Sequence, residues 1–200
     1  MKRQKGYFTP KEYERRVALG RANLNRIYTD FLPNWSKNTL VEHPIKNTVF
    51  RGVPLTGVID KIELTKEEAH VVDYKTGSHN PAKLARPSNA KPYGGTYWRQ
   101  LVFYKLLYEA NRPTAQKVIS GEIFYVDPDP SGQLASKKLT ISEDEAQLIG
   151  DLVVETYQKI LAHDFYEGCG ESHCTWCNFV RKNVLVDSFV DAELDELDDI

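Results

Sequence analysis

GVIDKIELTKEEAHVVDYKTG, residues 57–77, is the stretch that decides the fold. It reads as two strands joined by a short link. In an extended chain alternate side chains share a face. The first segment then sets Val58, Asp60, Ile62 and Leu64 on one face, with Lys61 and Glu63 on the other. In the second, Val71, Asp73 and Lys75 share a face, and Val72 and Tyr74 lie opposite. The link LTKEEA, residues 64–69, reads as a hairpin turn. Each strand thus carries a carboxylate on a face marked as inward by its aliphatic residues. Burying a carboxylate costs several kcal/mol unless it is paired or bound to a cation.

A hairpin of these strands brings Asp60, Asp73 and Lys75 together. One acid beside one lysine would read as a half-buried salt bridge. Two acids and a lysine converging at hairpin spacing, followed by a basic loop, read as a site. Carboxylates are hard oxygen ligands for Mg²⁺. A divalent ion held by them activates water and neutralises charge on a phosphate. The lysine can position that water or stabilise the transition state.

Outward from the hairpin the chain alternates helix and strand signals. Thr9, Pro10 and Glu12 form a capping box opening a helix that runs to about Leu32, where Pro33 stops it. Strands are expected near 40–50, 53–64 and 69–75. Residues 76–96 are rich in Gly, Pro, Ser and Asn, and so long a stretch inside a compact domain is usually functional or mobile. Lys83, Arg86, Lys91 and, just beyond, Arg99 are candidate phosphate contacts in and beside it. Trp98 and Tyr93 could stack on bases, although packing is the simpler role. A helix is expected at 96–111, with Tyr97, Leu101, Tyr104 and Tyr108 as a core stripe. Strands follow at 117–126 and 134–140, around the turn DPDPSG. Ser142 and Glu145 open a last helix, to about His163. The fold class is α/β: a small mixed β-sheet flanked by α-helices, with the site at the sheet edge. One domain spans 1–186, comprising a helical part (1–37), a core (38–140) and a C-terminal helix with a cysteine segment (141–186). An acidic tail, 187–200, is expected to be flexible.

The bulk numbers fit this reading. The 200 residues are 41% hydrophobic and 27% charged, with net charge −2, as in an ordinary soluble domain. The charge is uneven, with a basic N-terminus and six acids in the last ten residues. A near-neutral average does not exclude nucleic acid, because a local basic surface is what matters. No apolar run approaches the roughly 20 residues of a membrane span. The N-terminus lacks a signal-peptide core. Three clustered cysteines argue for the cytosol and against a disulfide framework.

GVIDKIEL followed by VVDYKTG resembles the PD-(D/E)xK nuclease superfamily, in particular its RecB/AddB-like branch. YWRQLVFYKLLY supplies the third block, Q-x-x-x-Y, as Gln100 and Tyr104. Those residues are four apart and share a helical face. The resemblance covers roughly residues 38–180 and implies a restriction-endonuclease-like core. It implies Mg²⁺ or Mn²⁺ held by Asp60, Asp73 and the Tyr74 carbonyl oxygen, with Lys75 catalytic. Gln100 and Tyr104 would support the site or touch the DNA backbone. Glu42 matches a glutamate that many members carry on the preceding strand. The histidine often found on the N-terminal helix has no counterpart here, since no histidine precedes His43. The implied activity is DNA hydrolysis by an exonuclease, within a helicase-nuclease or a DNA repair and recombination protein. No P-loop motif is present, so DNA and a helicase domain or subunit are the expected partners, with no membrane. A stand-alone phage- or CRISPR-type exonuclease, or an inactive nuclease fold that only binds, are the alternatives.

Cys169, Cys174 and Cys177 lie in CGESHCTWCNF. Several members of this branch hold a four-cysteine [4Fe–4S] cluster, and these three cysteines resemble its C-terminal part. Three accounts stay open. A fourth ligand lies outside this chain, His173 completes a Zn²⁺ site, or the cysteines are vestigial, with Trp176 and Phe179 packing on the core.

Overall fold

The computed structural model describes residues 6–111, 116–164 and 173–182. The chain forms two compact units, residues 1–154 and 155–200. In the first, helix α1 (Pro10–Arg26) starts on the expected box: the Thr9 hydroxyl accepts from the Glu12 N–H, and the Glu12 carboxylate accepts from the Thr9 N–H. It continues as a π turn, Ile27–Phe31, and a 3-10 turn, Leu32–Asn34, containing Pro33. Strands β1 (Thr39–Phe50), β2 (Val53–Leu64) and β3 (Glu68–Lys75) follow, then helix α2 (Thr96–Asn111), β4 (Lys117–Pro128), β5 (Leu134–Thr140) and α3 (Glu143–Leu161).

The five strands form one sheet in the order β1-β2-β3-β4-β5. All neighbours are antiparallel except β3 and β4, which are parallel. Parallel neighbours need a crossover, and α2 supplies it. Arg51 and Gly52, with φ of 47° and 84°, close β1 onto β2, the positive-φ pair that a two-residue hairpin favours. The two-sided sheet accounts for the sequence pattern. On one face the larger core gathers Ile45, Ile59, Ile62, Val71 and Ile123 under α2. On the other, Ile27, Val72 and Phe124 pack with Phe31, Trp35 and Tyr74. Helix α2 is buried nearly all round its middle, from Trp98 to Tyr108, rather than along a single stripe. Even Lys105 is buried, satisfied by Glu109, Glu143 and the Val118 carbonyl at 2.7, 2.9 and 2.9 Å.

Two expectations need correction. Val58 is exposed, whereas Ile59 and Ile62 are both fully buried in one cluster. The β1–β2 ladder pairs Val41 with Lys61 and His43 with Ile59 but passes over Glu42 and Asp60. Glu42 has φ 45°, so the alternation breaks there. The stretch 76–96 is also anchored. Leu84, in a 3-10 turn Pro81–Leu84, enters the core. Ser88 and Lys91 exchange backbone hydrogen bonds, and the Gly95 N–H donates to the Ala85 carbonyl at 2.8 Å. In the second unit the C-terminal part of α3 and helix α4 (Thr175–Lys182) are described. The acidic tail lies outside the described residues.

Candidate active site

The site lies where β2 parts from β3. Their ladder runs from Leu64 opposite Ala69 to Lys61 opposite Val72 and stops. Asp60 and Asp73 are the next residues on each strand. The Tyr74 N–H, beyond the last rung, donates to Asp60 Oδ2 at 2.9 Å. A carboxylate thereby takes the place of a strand carbonyl, and Asp60 is held beside Asp73. The expected position at the sheet edge is corrected, because β3 is the central strand. Asp73 and Lys75 face α2, and the Tyr74 ring faces the opposite aromatic cluster with Trp35 and Phe124. Burial there, with Glu63, Glu122 and Asp60 adding to it, pushes the Tyr74 hydroxyl up to about 12.

Asp73 is 2% exposed, and its two oxygens differ. Oδ1 accepts from Gln100 Nε2 at 2.9 Å and from the Tyr104 hydroxyl at 3.1 Å. Gln100 Nε2 also donates to the Tyr104 hydroxyl, at 3.0 Å. Both partners come from one face of α2, as their four-residue spacing requires. Oδ2 forms an ion pair with Lys75 Nζ at 2.6 Å and has no other hydrogen-bond partner. Burial raises the Asp73 carboxyl above the ordinary aspartate range; Lys75 opposes that and the Asp60 charge adds to it. Burial and the Asp73 charge also push the Tyr104 hydroxyl above the usual tyrosine range, so Tyr104 is a neutral donor at physiological pH.

The arrangement fits a hard divalent cation. The Asp60 charge bears on the buried Asp73 carboxylate, and Asp73 Oδ2 has only the Lys75 ammonium beside it. Two carboxylates against one ammonium leave a negative charge that a cation would compensate. Among the described residues no three His, Cys, Asp or Glu side chains form a metal-binding group. Glu42 is exposed at its break in the ladder and is not grouped with Asp60 and Asp73 here. His173, Cys174 and Cys177 likewise do not form such a group. Cys177 is buried, neither it nor Cys174 is in a disulfide, and Trp176 and Phe179 are exposed. Cys169 lies outside the described residues.

The four candidate basic contacts divide. Arg86 is bound internally, to Glu145 at 2.7 Å and the Thr140 carbonyl at 2.8 Å. Arg99 donates to the Tyr93 and Gly94 carbonyls at 3.2 and 2.9 Å. These two arginines hold the loop. Lys83 and Lys91 are exposed. Trp98 is buried and donates to Glu145 at 3.1 Å, which gives it a packing role. Tyr97, expected only as part of the core stripe, also borders the site. Its ring lies 5.0 Å from Lys75 Nζ. Its position three residues before Gln100, on the same helical face, is the signal that pointed there.

The model of the PD-(D/E)XK nuclease superfamily matches residues 2–181. No curated protein matches. A solved structure described as "Crystal structure of SSO0001" is similar at 18% identity with a TM-score of 0.39, covering 76% of this chain and 61% of that one. This chain thus spans less than two thirds of that protein. With a family match over nearly its whole length and a five-stranded mixed sheet flanked by helices, the chain belongs to the PD-(D/E)XK nuclease superfamily.

Proposed function

We propose that this protein is a divalent-metal-dependent deoxyribonuclease that hydrolyses phosphodiester bonds. The observation that carries the reading is the buried Asp73 carboxylate, whose Oδ2 is paired only with Lys75 and which also feels the Asp60 charge. Asp60, Asp73 and the Tyr74 carbonyl oxygen would hold Mg²⁺ or Mn²⁺. When bound, the ion supplies an acidified water and neutralises charge on the phosphate.

The chain's own residues do the rest. Gln100 and Tyr104 bind only Oδ1 of Asp73, which fixes the carboxylate's rotation and keeps Oδ2 turned to the site. Lys75 carries its ammonium 2.6 Å from that oxygen, where it can orient water and stabilise negative charge growing on the phosphate. The buried setting strengthens that interaction.

Within this reading the substrate is DNA, attack starts at an end, and the chain works beside a helicase motor, as the RecB/AddB-like resemblance implies. Linear and circular DNA, single- and double-stranded, should be tested with Mg²⁺ or Mn²⁺ against EDTA. The expected result is metal-dependent loss of linear substrate with circular substrate spared. Asp73→Ala and Lys75→Ala should each lower cleavage by roughly 10³-fold while DNA binding stays nearly intact. Undiminished cleavage by both variants would refute the assignment.

A further inference from the structure

Lys83 and Tyr97 stand next to the catalytic lysine in an arrangement the reaction itself does not require. Lys83 Nζ donates to the Tyr97 hydroxyl at 3.3 Å and lies 4.8 Å from the ring centroid. Lys75 Nζ lies 5.0 Å from the same centroid. Two ammonium groups therefore share one phenol ring. Each gains from the ring's electrons, but they repel each other. Lys75 has Asp73 as its counter-ion. Among the described residues Lys83 has no ion-pair partner, and its hydrogen bond and its ring contact are both to Tyr97.

The backbone beneath Lys83 is fixed. Asn80 Oδ1 accepts from the Ala82 N–H at 3.0 Å and caps the 3-10 turn. Leu84 is buried next to it. Gly95 packs so closely that a Cβ there would lie 2.2 Å from the Lys83 carbonyl oxygen. An exposed lysine on a free loop would spread its charge over a wide volume. This one is carried on an anchored turn and tethered by a hydroxyl beside the reacting centre.

We infer that Lys83, positioned by Tyr97, binds the phosphate neighbouring the one cleaved at Asp60, Asp73 and Lys75. This rests on the nuclease reading above and deepens it. The ligand is a polynucleotide strand carrying at least two consecutive phosphates. An anion against Lys83 relieves its repulsion from Lys75 and holds the strand in register with the site. Arg86 and Arg99 are engaged by internal carbonyls and Glu145, whereas Lys83 has only Tyr97.

The test compares wild type with Lys83→Met, which keeps the stem and removes the charge, and with Tyr97→Phe, which keeps the ring under Lys75. Cleavage of an oligonucleotide is measured beside hydrolysis of bis(p-nitrophenyl) phosphate, a diester with no neighbouring phosphate. Oligonucleotide affinity is measured against salt in EDTA. Lys83→Met should raise the oligonucleotide KM about tenfold with kcat changed less than about threefold. It should make the log–log salt slope shallower by about 0.7–0.9, the value of one phosphate contact. Turnover of the single diester should stay at the wild-type level. Tyr97→Phe should shift KM in the same direction by a smaller factor. An unchanged salt slope, or an equal loss on both substrates, overturns the inference. If wild type cleaves neither substrate with any metal, the nuclease reading itself fails, which is a separate outcome.

Discussion

Asp73 has one oxygen held by two neutral donors and the other held only by an ion pair, and the difference has an energetic consequence. Oδ1 is held by Gln100 and Tyr104, while Oδ2 has only the ion-pair contact with Lys75. Its carboxyl is raised above the ordinary range, mainly by burial. An acid whose folded pKa exceeds its unfolded value binds its proton more tightly in the fold. Its ionised form therefore costs stability above the folded pKa, and that cost vanishes below the unfolded one. At neutral pH without metal, Asp73 weakens the fold to keep a charge ready. Asp73→Asn keeps the shape and the Oδ1 acceptor but removes the charge. In EDTA at pH 7 it should raise Tm by about 2–4 °C while cleavage is lost. A lower Tm for this variant in thermal unfolding would mean that the ion pair with Lys75 outweighs the burial cost.

Among the elements, α2 matters most, because it carries Gln100 and Tyr104 and must sit close enough for them to reach β3. Two glycines permit that approach. A Cβ on Gly121 of β4 would lie 2.8 Å from the Leu101 Cβ, and one on Gly57 of β2 would lie 2.7 Å from Leu107 Cδ2. A Cβ cannot swing aside, whereas a leucine methyl can. Gly121→Ala should therefore cost about 1–3 kcal/mol through overpacking, and Gly57→Ala clearly less. Chemical unfolding of the two variants checks this, and equal losses would count against it. Gly57 opens the G-x-x-D block, so its place in that motif has a packing reason as well as a catalytic neighbour. The elements themselves were legible, because capping boxes and alternation are local: the Thr9–Glu12 and Ser142–Glu145 boxes formed as read. What was not legible came from contacts distant in sequence. Ile59 is buried beside the point where the β1–β2 ladder passes over Asp60. Arg86 is taken by Glu145, 59 residues on. No pattern local to either residue carries that information.

At the scale of the whole molecule, the site is a seam. The sheet holds together on both sides of it, yet β2 and β3 part at the point where two acids meet. Splitting the ladder exposes the Tyr74 N–H and lets Asp60 replace a strand partner, so the same break that weakens the sheet builds the ligand pair. The acids were visible in the sequence because they interrupt apolar strands. The parting was not, because it depends on β3 pairing with β4 across the α2 crossover. A cation bridging Asp60 and Asp73 should therefore act as a staple across the seam and couple to global stability. Mass action makes the gain about 2.7 kcal/mol at a hundred times the dissociation constant, or a Tm rise of roughly 5–10 °C for a chain of this size. Mn²⁺ or Mg²⁺ titrated into metal-free wild type should produce that rise. Asp60→Asn and Asp73→Asn should abolish it. Lys75→Ala should retain it, since the lysine competes with the cation for Oδ2 and donates no ligand. Differential scanning calorimetry reads all four proteins without any need for cleavage. A rise that survives in both asparagine variants would place the cation elsewhere on the molecule.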